Sequence, residues 1–367
     1  MAIYDHRSFN NGDQKFTVGK TKNVFDCGVY VDDNGFLVVG GDVITEAGTR
    51  FKASSDNYSG WSTYLQYSSA ATNGLYYTSV EEALADNNKT TSSVNIYVSE
   101  LDLTGTSYKG TLVITEPLTV TFAEGTTPAW KVASGEDGHE VGYTESVENG
   151  VVTRVYTLFT PVAQVGEVKY ESLDAAFAAA QEGETITMLD NVTEVFDIDN
   201  MANVTFDMDG HTLTGAITPS KANVTIKKGT IINENSGVSA IEINEGSLVL
   251  NNDVVIKSAR HALRIDGNVA VTINGGEYKA AIGNGTGTYH ALNVSGTAVV
   301  TIVDGTFVGP KGTSADSGAA VNVQTGATVS ISGGNFSGGK NNTLASKGTL
   351  TLTGGTYDQD VNVFCAD

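Results

Sequence analysis

Seven short stretches of this chain can be written one above another. They are "NVTFDMDGHTL" (203–213), "NVTIKKGTII" (223–232), "SLVLNNDVVI" (247–256), "AVTINGGEYK" (270–279), "VVTIVDGTFV" (299–308), "TVSISGGNFS" (328–337) and "TLTLTGGTYD" (349–358). Each alternates apolar and polar residues, turns, and runs into a second short alternating stretch. The turn position holds Gly210, Gly229, Asp253, Gly276, Gly305, Gly334 and Gly355, spaced 19 to 29 residues apart. A strand presents successive side chains to opposite faces. In Val271-Thr272-Ile273 and Val300-Thr301-Ile302 the aliphatic residues therefore share one face and threonine takes the other. One repeat has too little apolar surface to fold alone. Stacked copies bury a continuous aliphatic column, and repeats of this length with three short strands each predict a parallel β-helix. Glycine is expected at the bends, which need positive φ or space beside the backbone.

Between the turns runs a second series: "SAIEINEG" (239–246), "HALRIDGN" (261–268), "HALNVSGT" (290–297) and "AAVNVQTG" (319–326). His261 and His290 occupy equivalent places, which invites a paired metal or catalytic role. Ser239 and Ala319 fill the same place in the other copies, and a shared site would not tolerate alanine there. The two histidines are expected to flank strands at a corner, without chemistry of their own.

Upstream of the repeats, Leu173, Ala176, Phe177 and Ala180 fall at the i, i+3, i+4, i+7 spacing of an amphipathic helix. Ser172 is placed to cap it, Asp174 lies in its first turn, and Gly183 is expected to end it. Such a helix covers the open end of the apolar column, where strand edges and aliphatic side chains would otherwise face water. A second copy lies earlier: Tyr77, Ser79, Val80 and Glu81 align with Tyr170, Ser172, Leu173 and Asp174. Ser79 with Glu82 reads as a capping box. Residues 75–125 thus look like a shorter version of the same start. Residues 128–160 alternate around Glu148-Asn149-Gly150 and predict a β-hairpin.

The run from "VAQVGEVKYESLDAAFAAAQEGETITMLDNVTE" into "NVTFDMDGHTLTG" resembles the β-helix modules of gut-bacterial surface proteins in the pectin-lyase-like superfamily, over residues 162–367 with an echo at 75–125. The resemblance bears on fold, not activity, because that superfamily hosts lyases, hydrolases, adhesins and inert stalks. The expected fold is all-β: a right-handed parallel β-helix of about seven coils, preceded by small β units and short capping helices. The expected domains are 1–60, a small β anchoring domain; 61–160, an intermediate β domain with a short helix and a hairpin; and 161–367, the β-helix with its N-terminal capping helix.

The first segment differs. "GVYVDDNGFLVVGGDVITEAGTRFKA" (28–53) alternates on either side of Asn34-Gly35, a hairpin signature. It resembles the capsid-anchoring parts of tailed-phage head-fibre and decoration proteins. That resemblance makes Val29, Val31, Phe36, Val38, Ile44 and Thr49 the capsid-anchoring candidates. After it come Tyr58, Trp61, Tyr64, Tyr67, Tyr76 and Tyr77; Tyr58, Trp61, Tyr64 and Tyr67 are candidate glycan or partner contacts, against packing between the first two domains. At the other end "DVNVFCAD" (360–367) matches the third strand of a coil. Phe364 is the candidate contact at this distal end, folded over the column or covered by another molecule in a homo-oligomer such as a trimer.

Composition narrows the partners. The formal net charge of -21 opposes nucleic acid and anionic membrane. Cys27 and Cys365 have neither metal nor disulfide-framework spacing and are expected to be free thiols. The residues after Met1 are polar where a secretory h-region would begin, and no apolar run approaches the ~18 residues of a membrane span. Taking Met1 as the native start, the chain is expected to be made and kept in a host cytoplasm, or released by lysis.

Candidates for chemistry are few. Asp207 and Asp209 could form the carboxylate pair of a glycan-cleaving enzyme, but they sit in the ordinary strand–turn slot of the repeat. Arg260, Arg264 and Asp266 form a basic cluster best explained as salt bridges. "VDDNG" (31–35) lacks calcium-loop spacing, and no nucleophile elbow, P-loop, dinucleotide fingerprint or zinc motif occurs. The expectation is a non-enzymatic virion protein with no cofactor and no metal. It would be a head fibre or capsid decoration on the capsid exterior, held to a capsid protein through residues 1–60, with a host-surface glycan or protein as the distal contact. The alternatives are a bacterial surface adhesin and a glycan-degrading β-helix enzyme.

Overall fold

A computed structural model describes residues 79–358 apart from 284–285, 313–317 and 340–341. Outside that span it describes the strands Thr17–Val18, Asn23–Val24, Val29–Val31, Leu37–Val39, Arg50–Lys52, Ala70–Thr72, Leu75–Tyr77 and Val361–Val363. The described chain is all-β with two short helices, α1 (Val80–Asp86) and α2 (Leu173–Ala179). It divides into two units, Met1–Thr160 and Pro161–Asp367.

The second unit opens on antiparallel pairs. Ala163–Val165 pairs with Val168–Tyr170 and with Thr185–Met188. The rest of its 21-stranded sheet is parallel, and paired residues lie 17 to 29 positions apart in the chain. Three ladders result. In the first, Ile186, Phe206, Ile226, Leu250, Ile273, Ile302, Ile331 and Leu352 stand in register, one per strand. In the second the column runs Val192, Leu213, Ile231, Ile256, Tyr278, Phe307, Phe336, Tyr357. In the third it runs Ile217, Ile241, Leu263, Leu292, Val321, Leu344, Val361.

Alternation explains the choice of residues. In the first ladder, the aliphatic residues from Ile186 to Ile331 are buried, while Thr205, Thr225, Thr272 and Thr301 between them face outward. Each fully buried aliphatic or aromatic side chain contributes about 1.5–3 kcal/mol. In the second ladder, Tyr278, Phe307, Phe336 and Tyr357 stack with ring centroids 4.7, 5.0 and 5.2 Å apart. That separation is close to the spacing of neighbouring strands, so an in-register aromatic repeat stacks without distortion.

Helix α2 begins at Ser172, whose hydroxyl accepts from the Ala175 N–H at 3.1 Å. The Glu194 carboxylate also accepts from the Leu173 and Asp174 N–H groups, at 2.9 and 3.1 Å. Leu173, Ala176 and Phe177 are buried, and Phe177 packs 5.2 Å from Phe206 and 5.5 Å from Phe196. The helix ends at Ala179 with buried Ala180 as its C-cap, earlier than the expected stop at Gly183, which serves a turn with φ 81° before the next strand.

Two further details concern the expected bends and caps. Gly276 has φ 97°, and a Cβ there would run into the Val254 carbonyl. Gly229 fills the same slot but has no positive φ. Its missing side chain makes room for Met208 and the His211 carbonyl, while Lys228 beside it takes φ 55°. In the first unit, Ser79 accepts from the Glu82 N–H at 3.4 Å, but its hydroxyl donates to Glu81 at 2.6 Å.

That first unit stacks Ser93–Ile96, Thr111–Ile114 and Lys131–Ser134 in parallel. Leu118–Ala123 pairs in parallel with Glu100–Asp102 and antiparallel with Val151–Phe159. The last strand forms the expected hairpin with Glu140–Glu148, with Asn149 and Gly150 at φ 51° and 80°. Leu112, Leu118, Val120 and Phe122 are at the centre of its core.

Candidate functional site

The third ladder builds a polar face. Ile241, Leu263, Leu292 and Val321 point inward, as do Ile243, Ile265, Val294 and Val323 two residues on, and all are buried. The residues between them stand in one outward row: Glu242, Arg264, Asn293 and Asn322. Glu242 is tied down on every side. Its carboxylate accepts from the Ser239 N–H at 3.1 Å and from Arg264 Nη1 at 3.3 Å, with Arg260 Nη1 at 4.0 Å. Arg264 Nη2 reaches Asp266 at 3.7 Å, and Arg260 donates to the Gly237 carbonyl at 2.6 Å. Further along the row, Asn293 Oδ1 accepts from Asn322 Nδ2 at 2.8 Å and Gln324 Nε2 at 3.3 Å.

The two histidines border this row. Their rings stack at 5.5 Å, 13° from parallel, and the edge of Tyr289 meets His261 at 5.3 Å. The hydrogen bonds assign their tautomers. His261 Nδ1 lies 2.9 Å from the His290 backbone N–H and 3.3 Å from the His290 carbonyl, and the shorter contact, in which the N–H donates, places the His261 proton on Nε2. His290 Nδ1 lies 3.1 Å from the Ala319 carbonyl, which can only accept, so His290 carries its proton on Nδ1 and leaves Nε2 as an acceptor. Burial and then the neighbouring His290 push His261 down to about 3, and burial pushes His290 down to about 4. Both rings are neutral at physiological pH.

Together these side chains line an open groove of about 500 Å³. Its walls include Arg260, Arg264, His261, His290, Asn293 and Gln324. Asp266 is the carboxylate among its described lining residues. The arrangement offers fixed donors and acceptors on rigid strands. No cluster of three or more metal-ligating His, Cys, Asp or Glu side chains occurs among the described residues.

Other residues singled out in the sequence have different surroundings. Asp207 lies 3.0 Å from Lys228 Nζ and 3.1 Å from Lys227 Nζ, and accepts from the Asp209 N–H at 3.1 Å. Partial burial pushes its carboxyl up, but Lys228, the Asp209 N–H and Lys227 outweigh it and hold it below the usual carboxylate range. Asp207 thus closes the turn to Asp209, and Asp209 and Asp253 also act on Lys228. Val29, Val31 and Val38 fall in paired strands, Val29–Val31 running antiparallel to Leu37–Val39. Phe36, Ile44, Thr49, Tyr58, Trp61, Tyr64, Tyr67 and Phe364 lie outside the described residues.

Glu242, Asn293, Asn322 and Gln324 escaped the sequence analysis. The pattern that identifies the first three was present, since each is the fourth residue of its octet. What hid them was the search for repeated identity, because this outward row changes residue at every copy. No family model, curated protein or solved structure matches this chain.

Proposed function

We propose that this chain is a non-enzymatic structural protein of a phage virion, a head fibre or capsid decoration. Residues 1–60 attach it to a capsid protein, and residues 161–367 project as a right-handed parallel β-helix of about seven coils. The observation that carries the projecting-shaft reading is the in-register pairing of the three columns, of which the first runs from Ile186 to Leu352. Stacking of this kind yields a stiff element whose length grows with repeat number, and it leaves outward positions free to vary. Placement on a virion is supported by the likeness of residues 28–53 to capsid-anchoring hairpins, and by the antiparallel pairing of Val29–Val31 with Leu37–Val39. The shaft needs no cofactor. Asp207 held by two lysines and Glu242 held by arginines are carboxylates in structural use, which weighs against glycan cleavage.

Density-gradient banding of phage particles from the producing culture, followed by mass spectrometry of the bands, tests the proposal. The chain is expected at high copy in the full-particle band, and a chain lacking residues 1–60 is expected to be absent from it. Recovery with cell envelopes and never with particles would overturn the virion assignment in favour of a surface adhesin.

A further inference from the structure

The hairpin of the first unit leaves one strand edge open. Its four-stranded sheet runs in the order Glu140–Glu148, Val151–Phe159, Leu118–Ala123, Glu100–Asp102, so Glu140–Glu148 has a neighbouring strand on one side only. Asn149 and Gly150 both have positive φ, the signature of a type I′ turn, in which the residues flanking the turn exchange both hydrogen bonds. Glu148, Ser146, Thr144 and Gly142 therefore bond to Val151–Phe159, and Val147, Glu145, Tyr143 and Val141 turn their N–H and C=O groups to the open edge. These outward groups meet no partner among the described residues.

A long open edge is a template for pairing with another chain, and proteins commonly blunt it with proline, a bulge or an inward charge. Glu140–Glu148 contains no proline and pairs without a register shift. Its charge on the core-facing side, Glu145, is bonded to Arg154 at 2.6 Å, and that guanidinium lies over the rings of Tyr143 and Phe122 at 4.6 and 5.1 Å. The carboxylate is neutralised within the sheet and does not bar an added strand. On the same side Tyr143 and Val147 are 54% and 52% exposed, although their cross-strand partners Tyr156 and Val152 are buried. The apolar face thus runs on past its covered part, and one more strand would shield it.

Charge decides the occupant. Residues 136–148 hold Glu136, Asp137, Glu140, Glu145 and Glu148, with no lysine or arginine. A second copy paired antiparallel along the whole strand would set Glu140 against Glu148 twice, and like charges directly opposite are destabilising. A segment alternating apolar and basic residues fits instead. Its apolar side chains would cover Tyr143 and Val147, and its basic ones would stand beside Glu140 and Glu148 on the other side of the sheet.

We propose that the edge of Glu140–Glu148 docks a cationic extended segment of a partner protein, which joins the sheet as a further strand. Main-chain hydrogen bonds supply the affinity, and the alternation of side chains supplies the specificity. This surface belongs to the first unit and is independent of the virion assignment.

Fluorescence anisotropy of a labelled peptide of alternating lysine and valine, titrated with the full chain, tests the proposal. The peptide is expected to bind, more weakly as salt rises. The same peptide N-methylated at every residue keeps its charge but has no N–H to donate, and should bind at least about tenfold more weakly. Glu148→Lys is expected to weaken binding about threefold to tenfold, and Glu167→Lys in the second unit to leave it unchanged. Amide hydrogen exchange read by NMR should slow at Val141, Tyr143, Glu145 and Val147 when the peptide is added. No binding, equal binding of the methylated peptide, equal effects of the two substitutions, or protection elsewhere in place of these four amides would each overturn the proposal. Protection of the same amides by self-association, without peptide, would overturn it in favour of a second copy.

Discussion

Ala70 pairs with both Tyr77 and Ile96, and in the second unit Ala163 pairs with both Tyr170 and Met188. Each hairpin leads into a serine-capped helix of seven residues, and each helix leads into the first parallel strand. From this shared opening the two regions diverge. The first stacks three strands, and its third, Lys131–Ser134, brings Val132 and Ser134 to positions where Leu112 and Ile114 are buried. Neither Val132 nor Ser134 is buried, and the chain turns into an antiparallel hairpin rich in glutamate. The second brings at least one buried aliphatic or aromatic residue to each ladder, with Ser220, Asn233 and Ser258 among its inward positions, and it keeps stacking. A serine at one inward position does not by itself end a stack, because Ser220 and Ser346 stand at inward positions of the third ladder and the next strand still pairs beyond each.

The largest expected effect separates the two stacks. Phe307→Ala opens the middle of the aromatic column and is expected to cost about 3–5 kcal/mol. Leu112→Ala in the first unit is expected to cost about 2–5 kcal/mol. Scanning calorimetry should show two transitions, with Phe307→Ala lowering one and Leu112→Ala the other. A single transition shifted by both would mean the units unfold as one, and the comparison would fail.

A second expected effect belongs to the second unit alone. His261 and His290 are held neutral in the fold but take up protons when unfolded, at about pH 6.5. The unfolded chain therefore binds more protons between pH 6.5 and the folded values of about 3 and 4. Their contribution to stability is fully present above about pH 7 and is lost as pH falls toward 4. The melting temperature of the second unit is expected to decline over that range, and His290→Asn should flatten the slope. An unchanged slope in the variant would show that other groups set the acid limit.

The smallest effect tests the two helix starts. Ser79→Ala is expected to cost about 1 kcal/mol, a usual value for losing an N-cap. Ser172→Ala should cost less, because Glu194 continues to accept from Leu173 and Asp174. Denaturant titration compares the two, and equal losses would mean that Glu194 adds nothing.

Much of the fold was legible in the sequence, because stacking depends on a pattern that the residues carry in themselves. The alternation of Val271-Thr272-Ile273 states which faces are inward, and Asn149-Gly150 states where a hairpin turns. The start of α2 was equally plain at Ser172. The polar groove was not, because Glu242, Arg264, Asn293 and Asn322 share a position without sharing a residue. Only the pairing register brings them together. The assignment of His261 and His290 as corner residues described their place in the repeat. It could not anticipate that a backbone N–H and a carbonyl would fix their rings in opposite tautomers.

The aromatic column has an optical consequence. Both tryptophans of the chain, Trp61 and Trp130, belong to the first unit, whereas Tyr278, Phe307, Phe336 and Tyr357 stack in the second. Tryptophan emission therefore reports on one unit alone. The stacked tyrosine and phenylalanine rings of the second unit add to a near-ultraviolet circular dichroism that Trp130 and the Tyr143–Tyr156 pair of the first unit also supply. The protein thus carries one spectroscopic channel without any label, tryptophan emission, for the region where stacking stops.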